Sequence, residues 1–270
     1  MSTKVQRIKL VVSYDGTDFC GWAAQQGQRS VRSTLTEAVR RISGEENEIV
    51  GASRTDSGAH ARGQVCHFDT ACTIPPQRWA DTISRLLPVD LAVLRSSAVA
   101  QTFHSRFSPL DRWYRYRILP QRRDPLRSRF VAPCWHRLDV DRMHRVAQKL
   151  VGTHDFRGFS EEMALDKSAR RTILKIAVRA RQDEVHIDVI GTAFIRGMMR
   201  RISGGLVEVG RGLRPEEQVS NLLDPRIRDS LQWPRVLPAQ GLCLMRIRYG
   251  RSYYGQSQFI EEDNTGKDNE

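Results

Sequence analysis

The hydrophobic period of the chain switches repeatedly between two and three-to-four, and this alternation limits its fold more than any other feature. Apolar residues spaced by two mark half-buried strands; spacings of three and four mark helices with one apolar face. Ile8, Leu10 and Val12 alternate across 7–13 and predict a strand, with the turn residues Tyr14-Asp15-Gly16-Thr17 after it. Val31, Leu35, Val39 and Ile42 recur at helical spacing and predict a helix over 31–42. A strand over 63–70 and a helix over 77–87, stopped by Pro88, complete a first round.

A second round begins near Trp113. Tyr114, Tyr116 and Ile118 share one face of a strand; Trp113, Arg115 and Arg117 share the other. Asp139 is the expected N-cap of a helix carrying Val140, Met143, Val146 and Leu150. Two strands over 173–179 and 184–190 follow, then a helix on which Phe194, Met198, Ile202 and Leu206 step by four. Pro215 opens a short helix with Val219, Leu222 and Leu223. In a last strand over 242–249, Leu242, Leu244, Arg246 and Arg248 alternate with Cys243, Met245, Ile247 and Tyr249. Two such rounds without a regular strand–helix repeat predict an α+β architecture. No internal sequence repeat stands out. The last ten residues carry five acids and one lysine, so 251–270 is expected to be a disordered, acidic tail.

Charge narrows the function. Lys plus Arg number 43 against 31 Asp plus Glu, a formal charge of +12. A surplus of that size favours a polyanionic partner, because each neutralised phosphate releases counterions. No apolar run approaches the length of a membrane span, and residues 1–9 are too polar for a secretion signal. The five cysteines (Cys20, Cys66, Cys72, Cys134, Cys243) are odd in number and form no CxxC pair. Reduced thiols in a cytoplasmic protein are the expectation, with no disulfide framework or structural zinc.

One segment stands out. In Gly51-Ala52-Ser53-Arg54-Thr55-Asp56-Ser57-Gly58-Ala59-His60-Ala61, small residues surround an Arg, an Asp and a His. Such a loop lets backbone approach a ligand and leaves a carboxylate accessible. Taken alone, Asp56 is more often a turn residue bonding its own backbone, the commoner fate of Asp near Gly.

This segment resembles the active-site loop of TruA-type tRNA pseudouridine synthases, which reads GAGRTDAGVHA and is followed by GQV; here Gly63-Gln64-Val65 follows. The resemblance continues in order through nearly the whole chain. It includes Tyr14-Asp15-Gly16-Thr17, Leu87-Pro88-Val89-Asp90-Leu91 and Phe103-His104-Ser105-Arg106-Phe107-Ser108. Arg112, Tyr114 and Tyr116 come next, then Gly152-Thr153-His154-Asp155-Phe156, the segment 191–200 and Pro238-Ala239-Gln240-Gly241-Leu242.

The resemblance implies a pseudouridine synthase fold of two RNP-like, ferredoxin-like halves, 1–108 with the aspartate loop and 109–250, with a cleft between them. It implies isomerisation of uridine to pseudouridine at positions 38, 39 and 40 of the tRNA anticodon stem-loop, by a homodimer that uses no metal or organic cofactor. Asp56 matches the catalytic aspartate, a nucleophile or base toward an electron-poor carbon. Arg200 is its expected cation, keeping a carboxylate in a cleft ionised and oriented. Arg196 and Arg200 are expected four apart on one helix.

Tyr114 matches the active-site tyrosine, whose ring can stack on uracil. Arg54 is expected on RNA phosphate or wedged into the stem, because a paired target must be extruded before chemistry. His60 and Arg112 complete the expected substrate contacts. Arg40, Arg41, Arg115, Arg117, Arg170, Arg171 and Arg201 are further candidates for phosphate. The adjacent His154 and Asp155 have no nucleophile motif beside them and read as fold-supporting.

Ser53, Ser57, Ser84, Ala59, Thr192 and Arg201 depart from the family pattern and bear on which uridine is chosen. The competing readings are a non-catalytic tRNA-binding relative and a synthase acting at another RNA position. A small-substrate hydrolase built on Asp56 and His60 fits the basic surplus poorly.

Overall fold

The computed structural model describes residues 5–161 and 168–250. The expected tail over 251–270 lies outside them. The first half runs β1 (Gln6–Tyr14), α1 (Val31–Ser43), β2 (Val50–Gly51), β3 (His60–Thr70), α2 (Trp79–Ser84) and β4 (Leu91–Val99). The second runs β5 (Asp111–Pro120), β6 (Ala132–Cys134), α3 (Val140–Gln148), β7 (Gly152–Asp155), β8 (Arg170–Arg181), β9 (Glu184–Gly191), α4 (Met198–Gly210), α5 (Glu216–Asn221) and β10 (Leu242–Arg248).

Periodicity is the local cause of these elements. Ile8, Leu10 and Val12 of β1 are fully buried on one face, and each is worth about 2 kcal/mol in area removed from water. Helix α1 buries Val31, Leu35 and Val39, and the Ser30 hydroxyl caps it by accepting the Ser33 backbone N–H at 3.1 Å. Asp139 caps α3 in the same way, accepting from Arg142 at 2.9 Å.

The strands form one sheet in the order β4-β1-β3-β10-β5-β9-β8-β7, with β2 on β3 and β6 on β5. Within it the pattern β4-β1-β3-β2 of the first half recurs as β10-β5-β9-β8 in the second. Each half is thus a βαββαβ unit with its first strand between its fourth and its third, the ferredoxin-like arrangement. In the first half the second strand has shrunk to two residues. Val50 and Gly51 pair with His67 and Cys66, and the remaining edge of β3 is taken by β10, parallel, with Cys243 opposite His60 and Leu244 opposite Ala61. Strand β10 therefore joins the halves beside the loop between β2 and β3.

Three sequence expectations are corrected. The helix over 77–87 is a 3-10 turn, Pro76–Arg78, followed by α2, which stops where the Ser84 hydroxyl exchanges hydrogen bonds with the Val93 backbone of β4. Strict alternation in the last strand fails because its register against β5 shifts between Leu244 and Arg246; Ile247 joins Leu242 and Leu244 in the core. Phe194 and Arg196 precede α4 rather than lying on it. Gly197, in the left-handed region at φ 72°, turns the chain immediately before Met198.

Buried His67 makes the fold acid-sensitive. Its Nδ1 accepts the Ser105 backbone N–H at 3.2 Å, which requires a neutral ring nitrogen. Burial, then the charges of Arg7 and His104, pushes its pKa from 6.5 down to about 4. The unfolded chain therefore takes up this proton at higher pH than the folded one. The stabilisation is complete above pH 6.5 and drains away as pH falls toward about 4. The melting temperature is expected to drop across that window, and His67→Gln to flatten the slope; identical slopes in the two proteins contradict the assignment.

Candidate active site

The 52–59 loop is held from both sides. From the sheet side, Gln64 of β3, fully buried, donates its amide N–H to the Ser53 carbonyl at 2.7 Å and accepts the Ser53 N–H at 3.3 Å. From the other side comes the loop after β1. Tyr14 shares a 2.8 Å hydrogen bond with Thr55, and the Trp22 N–H donates to the Thr55 carbonyl at 3.2 Å. Gly16 passes so close that a Cβ there would overlap the Ala59 carbonyl. The two glycine-bearing motifs are thus one packed unit, which presents Asp56 at the seam between the halves.

Asp56 meets Arg200 there. Arg200 Nη1 donates to Asp56 Oδ2 at 3.2 Å, and its Nε donates to the Leu237 carbonyl at 2.7 Å. The side chains are 23 % and 19 % exposed, shielded enough for the pair to matter and open enough for substrate to reach it. A second carboxylate, Glu161, lies 3.7 Å from Arg200 and 3.4 Å from Arg196, so Asp56, Arg200, Glu161 and Arg196 alternate in charge.

Tyr114 is buried on β5 with its ring edge-on to Phe194 at 4.9 Å between centroids. Burial pushes its phenol pKa up, against a hydrogen bond to Ser53 that lowers it. Tyr114 is therefore a neutral phenol at neutral pH. Tyr116, on the same face, donates to the Pro238 carbonyl at 2.7 Å and belongs to the core.

The remaining candidates divide by what their polar atoms already hold. Arg54 is exposed and has no acceptor among the described residues, so its guanidinium is available to RNA. Arg112 is buried. Its Nε donates to Ser53 Oγ at 3.1 Å, Nη1 to the Thr192 carbonyl at 2.5 Å, and Nη2 to the Ala52 and Arg106 carbonyls at 3.4 and 3.0 Å. It clamps the loop rather than presenting charge.

His60 is also engaged at both nitrogens. Nδ1 accepts the Gly16 N–H at 2.9 Å, which leaves the proton on Nε2, 3.1 Å from the Gln240 carbonyl. Burial lowers its pKa, against the opposing effect of Asp15. His60 therefore ties together the two motifs and the 238–241 turn.

Arg115 and Arg117 pair across strands with Asp188 and Glu184, while Arg40 and Arg41 share the single carboxylate of Glu37. Ser53 and Gln64, which bind the loop together, were visible in the sequence only as a departure and as part of a motif. Leu237 and Glu161 carried no signal at all.

Two ferredoxin-like halves share one sheet, with a carboxylate–guanidinium pair and a buried tyrosine where they join. The tRNA pseudouridine synthase family matches residues 10–108 and 146–250. A tRNA pseudouridine synthase A of Syntrophotalea carbinolica is 37 % identical over 246 residues, 90 % of this chain and 96 % of that one. One from a Geobacter species is 38 % identical over 249 residues, 91 % and 99 % of the two chains. One from Clostridium kluyveri is 36 % identical over 246 residues, 91 % and 100 %. The chain belongs to the tRNA pseudouridine synthase family, and its reaction is the isomerisation of uridine in tRNA. No helix among the described residues is long and apolar enough to cross a membrane.

Proposed function

We propose that the enzyme acts on uridines 38, 39 and 40 of the tRNA anticodon stem-loop, as a cytoplasmic homodimer that uses no metal or organic cofactor, with Asp56 as the attacking group. The observation that carries this reading is the Asp56–Arg200 pair on a doubly clamped loop beside Tyr114. The Asp56 carboxylate attacks an electron-poor carbon of the sugar or the pyrimidine. The bond from ribose to N1 breaks, the base turns, and a bond forms to C5; the bond to the Asp56 carboxylate breaks and returns it free, N1 gains a proton and C5 loses one, so the product is an isomer. Arg200 holds the carboxylate, Tyr114 packs against the base, and Arg54 contacts the RNA from the loop. Arg112 and His60 serve by holding that loop in place.

The test is to map pseudouridine nucleotide by nucleotide on unmodified tRNA transcripts. Modification confined to 38–40 is the expected result. Modification elsewhere keeps the chemistry and overturns the target. tRNA affinity is expected to fall steeply as salt rises, and a flat response contradicts phosphate contact.

A further inference from the structure

The Phe103–Ser108 turn, which enters the second half of the enzyme, has a rigid base and an exposed aromatic tip. Beneath the tip, Ser105 is fully buried; its hydroxyl donates to the Val50 carbonyl of β2 at 2.6 Å, and its carbonyl accepts the Tyr249 hydroxyl at 2.6 Å. The His104 Nδ1 accepts the backbone N–H groups of Arg106 and Phe107 at 3.1 and 3.3 Å, which fixes the imidazole plane. On that plane lies the Phe107 ring, 4.4 Å away at 32°, with the Arg106 guanidinium 5.6 Å from its centre. Yet Phe107 is 76 % exposed.

A large, mostly exposed apolar ring packed on an imidazole with a guanidinium over it is a poor solution for stability and a good one for stacking a base. Its position ties it to the reaction. Arg112 Nη2 bridges the carbonyls of Arg106 and Ala52, so the turn and the Asp56 loop hang on one buried guanidinium. The exposed Arg54 lies two residues beyond Ala52.

We propose that Phe107 is a nucleobase-stacking subsite that takes an unpaired base of the bound tRNA, with Arg106 on the adjoining phosphate. Bases within a paired stem have no free face, so the occupant is a base of the single-stranded loop or one unstacked when the target is extruded. The proposal rests on tRNA being the substrate. A stacked base also gives the enzyme a second hold on the strand, which fixes the register in which the target reaches Asp56.

The experiment combines steady-state kinetics on unmodified tRNA with binding in the Asp56→Ala background. Phe107→Ala is expected to raise KM about ten-fold, the order that losing one stacked base carries, with kcat and melting temperature little changed. Phe107→Trp restores KM and Phe107→Leu does not. Affinity for a fully paired RNA of the same length stays at the wild-type value. Arg106→Ala lowers the slope of log affinity against log salt by about one, whereas Phe107→Ala leaves it alone.

An unchanged KM in Phe107→Ala, rescue by leucine as good as by tryptophan, or equal loss on paired RNA overturns the subsite. If wild-type enzyme makes no pseudouridine on these transcripts, the functional reading itself has failed, a result separable from all of these.

Discussion

Asp56→Ala is expected to abolish pseudouridine formation, a loss on the order of 10⁴-fold, the scale reached when a group acting directly on the reacting atoms is removed. tRNA affinity is expected to stay within about two-fold, because phosphate contacts supply most of it. Folding should also survive. Asp56 is 23 % exposed, and without it Arg200 keeps the Leu237 carbonyl and Glu161 as partners, so no orphaned charge is left. Asp56→Asn separates charge from shape: it preserves the volume, cannot attack as a carboxylate, and should be as inactive as alanine. Retained turnover in either variant, measured by single-turnover assay on a purified transcript, would remove Asp56 from the reaction.

Arg200→Ala is expected to lower kcat by about 10²- to 10³-fold with a smaller effect on KM, the range seen when one preorganised electrostatic partner is deleted. Arg200→Lys should recover only part of that loss. The guanidinium spans two acceptors, with Nε on the Leu237 carbonyl and Nη1 on Asp56. One ammonium on a flexible stem cannot hold both. The same split costs about 1 kcal/mol of stability through the carbonyl left without a partner. A lysine variant as fast as wild type would mean that charge alone matters at this position and that the Leu237 contact is incidental.

Much of the fold was legible in the sequence. Strand β1, helices α1 and α3 and the buried face Tyr114-Tyr116-Ile118 follow from period and caps, which are properties of windows a dozen residues long. The Asp56 loop was legible from its motif. The roles of Arg112 and His60 were not, since a motif conveys which side chain is present and not what its polar atoms are already bonded to. Both are buried, Arg112 donating to the Ala52 carbonyl and His60 accepting the Gly16 N–H. Strand β4 escaped notice because it is an edge strand with only Leu91 and Val93 buried and a polar remainder.

By itself, the sequence determined the alternation of strands and helices, the basic surplus and the order of the motifs, and these lead to an RNA-modifying α+β enzyme. The tertiary structure decided the rest. The recurrence of one strand order in both halves has no sequence repeat behind it, because topology depends on which strands pair and many sequences satisfy the same pairing. Asp56 and Arg200 lie 144 positions apart and meet only because β10 enters the sheet beside the aspartate loop. Arg196 leaves the helix expected to hold it because Gly197 takes a left-handed turn, and Ile247 enters the core because the β10 register slips by one residue. A backbone turn and a hydrogen-bond register are settled by contacts with distant parts of the chain, and no local window of sequence contains them.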